Sequence, residues 1–147
     1  MIDKKLKVVD EKSVQSLIFE VRGMQVMIDS DVAHLYDYDT KRINETVRRN
    51  VNRFPEDFCF QLTVVEYDNF LRSQIATLKP KIGSGKHRKY LPYVFTEQGI
   101  AMLSGLLKND IATETSIIIM RAFVYMRKYL MNNANIINRL TEHDIKL

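Results

Sequence analysis

Between Asp39 and Pro55 the chain holds Ile43, Val47 and Val51 four residues apart, so one apolar stripe runs along an otherwise basic segment. That spacing is helical, and Pro55 ends it, because the residue before a proline is pushed out of the helical region. The segment predicts an amphipathic helix over 40–54, capped by Asp39 or Thr40 and closed by Phe54, with its apolar side against a core. The chain has 147 residues, 46% of them hydrophobic, which is enough to build that core within one domain of ordinary size.

The flanking sequence supplies the other layers. Residues 1–16 are polar and weakly patterned and read as a loose leader. Leu17, Phe19 and Val21 alternate with Ile18, Glu20 and Arg22, which is strand periodicity. Gly23-Met24 predicts a two-residue turn, with Gln25 to Ile28 as the returning strand of a hairpin. Asp29 or Ser30 is a candidate cap for a short helix that places Val32, Ala33, Leu35 and Tyr36 on one face. After Pro55, Phe58, Phe60 and Leu62 predict a third strand.

Thr63-Val64-Val65-Glu66 matches a capping box, which predicts a helix from Val64 to about Leu78. Lys79 to Lys89 holds Pro80, Gly83 and Gly85 and reads as a mobile loop or hairpin tip. Tyr90 to Phe95 predicts a strand, at an edge or with a bulge because of Pro92. Thr96 is placed to cap a helix through Leu107, and a long helix follows from Asp110 to about Asn132. Residues 132–147 read as a helical extension or linker. The order of elements is α+β: an N-terminal β-hairpin, a helix-turn-helix-like pair, further short strands and a long C-terminal helix.

Charge is concentrated in two places. Residues 40–54 carry Lys41, Arg42, Arg48, Arg49 and Arg53 against Glu45, a net +4, and residues 79–90 carry Lys79, Lys81, Lys86, Arg88 and Lys89 with no acid, +5. Because the whole chain is +4, the remainder carries −5. Focused positive charge on an acidic molecule suits a polyanion-binding face, although a charge run is also what any solvated face looks like.

Two short helices joined by about four residues, the second basic, have the form of a helix-turn-helix. Ala33 supplies the small residue where the helices cross, and Asp37 tolerates the left-handed conformation the turn needs. On this reading Lys41, Arg42, Asn44, Glu45 and Arg48 are base-edge candidates in double-stranded DNA. Arg49, Asn52 and Arg53 are phosphate candidates, joined by Lys79, Lys81, Lys86, His87, Arg88 and Lys89 in a wing-like loop.

Several strings carry a family resemblance: Arg22 to Asp29, Asp31 to Tyr36, Lys41 to Asn50, Arg53 to Phe58 and Pro92 to Gly99. In that order and spacing, over roughly residues 17–128, the chain resembles the ORF6N domain, which is related to the KilA-N domains of phage and prophage proteins, and the domain is expected over 17–131. The resemblance implies a DNA-binding regulator or antirepressor of bacteria and their viruses. Asp37-Tyr38 departs from the family pattern, where glycine and a small aliphatic residue are expected.

Other chemistries find less support. His34, His87 and His143 are scattered without metal-ligand spacing, and Cys59 sits between two phenylalanines with nothing to lower its thiol pKa. The acidic group Asp29, Asp31, Asp37 and Asp39 is the one feature a metal-dependent nuclease would want, but cap and turn roles explain all four. No enzyme activity, metal or cofactor is expected.

The apolar run from Ile117 to Met126, followed by Leu130, Ile137 and Leu140, fits either core packing or a homodimer contact through residues 110–147. A repressor or other protein remains an alternative partner to DNA. No run reaches the length of a membrane span and no apolar signal core follows Met1, so a cytoplasmic protein is expected.

Overall fold

A computed structural model describes residues 10–77 and 90–145, with side chains of the last helix through Asn133. In chain order the elements are α1 (Glu11–Gln15), β1 (Phe19–Val21), β2 (Met24–Ile28), α2 (Asp29–Tyr36), α3 (Thr40–Arg49), a single 3-10 turn at Val51–Arg53, β3 (Cys59–Gln61), α4 (Val64–Thr77), β4 (Tyr93–Phe95), α5 (Glu97–Leu107) and α6 (Asp110–Ile145). The fold is α+β, as expected.

The four strands form one antiparallel sheet in the order β1-β2-β4-β3. Side chains alternate across it, and both faces are covered. Met27, Phe95 and Cys59 lie in one cross-strand row and join Ile43, Ile100, Leu103, Ile119 and Phe123 in the larger core beneath the helices. The next row, Ile28, Val94 and Phe60, joins Leu62 and Tyr67 in a second core, closed by Phe70 and Leu71 of α4.

Several local expectations were met. Thr63 and Glu66 form a reciprocal capping box: the Thr63 amide donates to Glu66 Oε1 at 2.9 Å, and the Glu66 amide to Thr63 Oγ1 at 3.2 Å. Thr96 caps α5, accepting from the Gly99 amide. Gly99 is required there because the first turn of α5 meets the backbone of Phe58, just before β3. A Cβ on Gly99 would lie 2.0 Å from the carbonyl oxygen of Phe58, an atom that also accepts the Thr96 amide.

Other expectations are corrected. Residues 11–15, placed in a loose leader, form a helix against α6, because Asp10 caps it and Val14 is buried. The hairpin turn falls one residue earlier, at Arg22-Gly23, as the pairing of Val21 with Met24 requires. Both residues have positive φ, 56° and 75°, the type I′ pattern that matches strand twist.

Arg22 adopts this conformation without glycine's freedom, and its side chain is held at several points. Nε and Nη2 reach Glu66 at 2.8 and 3.0 Å, and the guanidinium lies 4.1 Å over the Phe60 ring. Neither Asp29 nor Ser30 is the cap of α2; that position is Ile28, which makes no side-chain cap bond. β4 is central rather than at an edge. Pro92 is tolerated because it lies just outside the paired register and uses only its carbonyl, which accepts the Leu62 amide at 2.9 Å. The last helix continues unbroken to Ile145, beyond the expected stop near Asn132.

Gly99→Ala is expected to destabilise the domain by about 1–3 kcal/mol or more in urea unfolding, since backbone must move to admit the methyl group. A second expectation concerns acid. The hydrogen bonds from Arg22, then from Thr63, hold the Glu66 carboxyl down at about 2, from an ordinary 4.5. Its stabilising contribution is therefore full above pH 4.5 and is lost as the pH falls toward 2. Glu66→Gln should flatten that part of the acid-unfolding profile.

Candidate nucleic-acid interface

The turn between α2 and α3 is fixed by backbone chemistry. Asp37 is left-handed, with φ 64° and ψ 41°, and its amide donates to the His34 carbonyl at 3.1 Å. The next amide, of Tyr38, reaches back to Ala33 at 2.9 Å. These two bonds make a Schellman closure of α2. Only Tyr38 and Asp39 then separate Asp37 from α3, so the two helices pack closely, through Val32, Ala33, Leu35, Tyr36 and Ile43 in the common core.

α3 is shorter than the predicted helix over 40–54. It ends at Arg49, where Asn50 leaves helical geometry and its Nδ2 donates to the Thr46 carbonyl at 2.8 Å. The 3-10 turn that follows rotates Val51 outward, to 64% exposure, so the apolar stripe comprises Ile43 and Val47 only. Phe54 closes the segment as expected: it is buried, edge-on to Phe95 at 6.3 Å.

Lys41, Arg42, Arg48 and Arg49 are exposed, and with half-buried Glu45 they fall in an arc of about 120° around α3. Asn52 and Arg53 are exposed on the 3-10 turn that follows. Among the described residues no carboxylate lies within ion-pairing distance of Lys41, Arg42, Arg48, Arg49 or Arg53. Arg48 and Arg49 also occupy the last turn of α3, where a positive charge offsets the helix dipole. Lys79, Lys81, Lys86, His87, Arg88 and Lys89 lie outside the described residues.

Asn44 does not belong to that outer surface. Its Nδ2 donates to Asp29 Oδ2 at 3.0 Å, and its Oδ1 is buried without a hydrogen-bond partner. Asp29 is itself fully buried, at 0% exposure, and the same Oδ2 accepts the Tyr93 amide at 3.0 Å. One carboxylate at the start of α2 thus joins β4 to the middle of α3. Asn44, a base-edge candidate on its sequence position, is thereby turned inward toward Asp29. The local sequence suggests only a cap role for Asp29; its partner Tyr93 lies 64 residues away, and no local pattern signals that contact.

The remaining acidic residues do not converge. Among the described residues no group of three or more His, Cys, Asp or Glu side chains could hold a metal ion. Asp37 serves the left-handed turn and Asp39 the cap position of α3. Cys59 is buried in the sheet, and burial, reinforced by Asp29, pushes its thiol up to about 12, so it stays protonated. No helix among the described residues is long and apolar enough to cross a membrane.

Replacing Asp29 by Ala would leave the Tyr93 amide and the Asn44 side chain without this acceptor inside the fold. The expected cost is about 2–4 kcal/mol of stability in urea unfolding, larger than for Ala at any exposed cation of α3.

The family model for the ORF6N domain matches residues 16–106. No curated protein matches the chain, and no solved structure matches it.

Proposed function

The chain belongs to the ORF6N domain family, and on that premise we propose that it binds double-stranded DNA as a regulator of phage or prophage type. The observation that carries this reading is the set of exposed cations Lys41, Arg42, Arg48 and Arg49 on one arc of α3, with exposed Arg53 on the turn that follows, none with a carboxylate partner among the described residues. Such a surface costs self-repulsion in the free protein, and counterion release onto a phosphate backbone relieves it.

The Schellman turn holds α3 against α2 in the manner of a helix-turn-helix, with α3 as the helix that enters the major groove. Lys41, Arg42, Glu45 and Arg48 then face base edges, while Arg49, Asn52 and Arg53 meet the backbone. The segment over 79–89 adds charge of the same sign. Arginine forks suit guanine and phosphate, and Glu45 suits the amino group of cytosine.

No enzymatic step is part of this proposal, and its setting is the cytoplasm, where the DNA is. Ile117, Tyr125, Tyr129, Leu130 and Met131 of α6 are exposed large apolar side chains, which favours a second copy pairing through this helix to match paired half-sites.

Retardation of a random-sequence duplex over a salt series tests the reading. The expected log–log slope is about −0.9 for each phosphate neutralised, and Arg53→Ala should lower its magnitude by about one. At a site selected from a random library, Arg48→Ala should cost about 1–3 kcal/mol. Absence of salt-dependent retardation for every duplex would remove DNA binding from the account.

A further inference from the structure

The cations of α3 are not equivalent, because one of them is already held in the free protein. The Arg42 guanidinium lies 4.6 Å over the ring of Tyr38, the residue that follows the left-handed Asp37. Among the five cations of this surface it is the one with an aromatic partner among the described residues.

Tyr38 is in turn fixed from two sides. Its amide closes α2 on Ala33, and its hydroxyl oxygen accepts from Asn109 Nδ2 at 3.1 Å. Asn109 has no freedom to drift either, because its Oδ1 caps α6 through the Ala112 amide at 2.8 Å. A chain of contacts therefore runs from the N-terminus of α6, through a tyrosine ring, to the first turn of α3.

A guanidinium that stacks uses its face, and its N–H donors lie in its plane. The contact with the Tyr38 ring restricts the Arg42 rotamers, and among the described residues no hydrogen bond uses the guanidinium fork that would meet a base. We propose that Tyr38 is the positioning residue for Arg42, and that Arg42 is the side chain of this surface that reads a guanine edge in DNA.

This rests on the DNA-binding reading and refines it. The exposed Arg48, Arg49 and Arg53 have no such ring contact among the described residues, and ordering them on binding costs rotamer freedom. Substituting lysine at position 42 keeps the charge but loses both stack and fork.

The experiment uses the full chain, a duplex it selects from a random library, and the same duplex with each guanine replaced in turn by 7-deazaguanine, which lacks the N7 acceptor. For the wild type one 7-deaza position should weaken binding about ten-fold. For Arg42→Lys the loss should already be present on the unmodified duplex, and the 7-deaza base should add less than two-fold. Tyr38→Leu should lower affinity about five-fold in the wild-type background and less than two-fold with Arg42→Lys. Tyr38→Phe, which keeps the ring, should restore most of it.

NMR of the free protein supplies a readout that fold stability alone does not move. The Arg42 side-chain protons should be ring-shifted upfield in the wild type and in Tyr38→Phe, but not in Tyr38→Leu. If these shifts are absent, or if Arg42 and Tyr38 substitutions act independently, the assignment of Arg42 falls and DNA binding stands. If no duplex is selected, both fall.

Discussion

The buried carboxylate of Asp29 is the point on which the architecture around α3 depends. It sits at the start of α2 with no exposure to solvent, and one of its oxygens takes donors from β4 and from α3 together. A buried carboxyl group is expensive unless hydrogen-bonded, so this geometry is favoured: displacing either donor removes one of the two hydrogen bonds to Oδ2. Strand β4 is central in the sheet, so the basic helix is referred to the most constrained part of the molecule rather than to a surface loop.

Around that node each layer performs a distinct task. The sheet separates two cores, α4 closes one of them, and the helices of the other face carry α2 and α3. The Schellman turn sets the angle between α2 and α3 with backbone bonds, and Tyr38 adds a contact to the N-terminus of α6. The outer side of α3 contributes almost nothing to the core, since Ile43 is its one fully buried residue. That freedom is what allows the surface to be composed of cations.

What could be read from the sequence was local. The capping box at Thr63 and Glu66, the Thr96 cap and the left-handed Asp37 each follow from a few adjacent residues, and the outward arc of Lys41, Arg42, Arg48 and Arg49 follows from helical spacing. What could not be read involves partners far apart in the chain. Asp29 meets Tyr93, Arg22 meets Glu66, and Tyr38 meets Asn109. The hairpin turn was displaced by one residue because glycine suits either position of such a turn, and the decisive pairing is Val21 with Met24. Pro92 suggests an edge strand for a related reason: its position just before the pairing register is invisible until β3 is placed.

The strand order has a consequence for how the chain reaches this state. β4 is the last strand in sequence, yet it fills the gap between β2 and β3. While a nascent chain lacks residues 93–95, the hairpin and β3 each present an unpaired edge, and the apolar rows that will line two cores have no lid. Closure of the sheet needs contacts that span more than sixty residues, such as that from Asp29 to Tyr93, and pairing this non-local is slow to form in general. Until then the open edges are templates for pairing with other chains, and synthesis that stalls between β3 and β4 exposes the molecule to aggregation when it is least able to resist it.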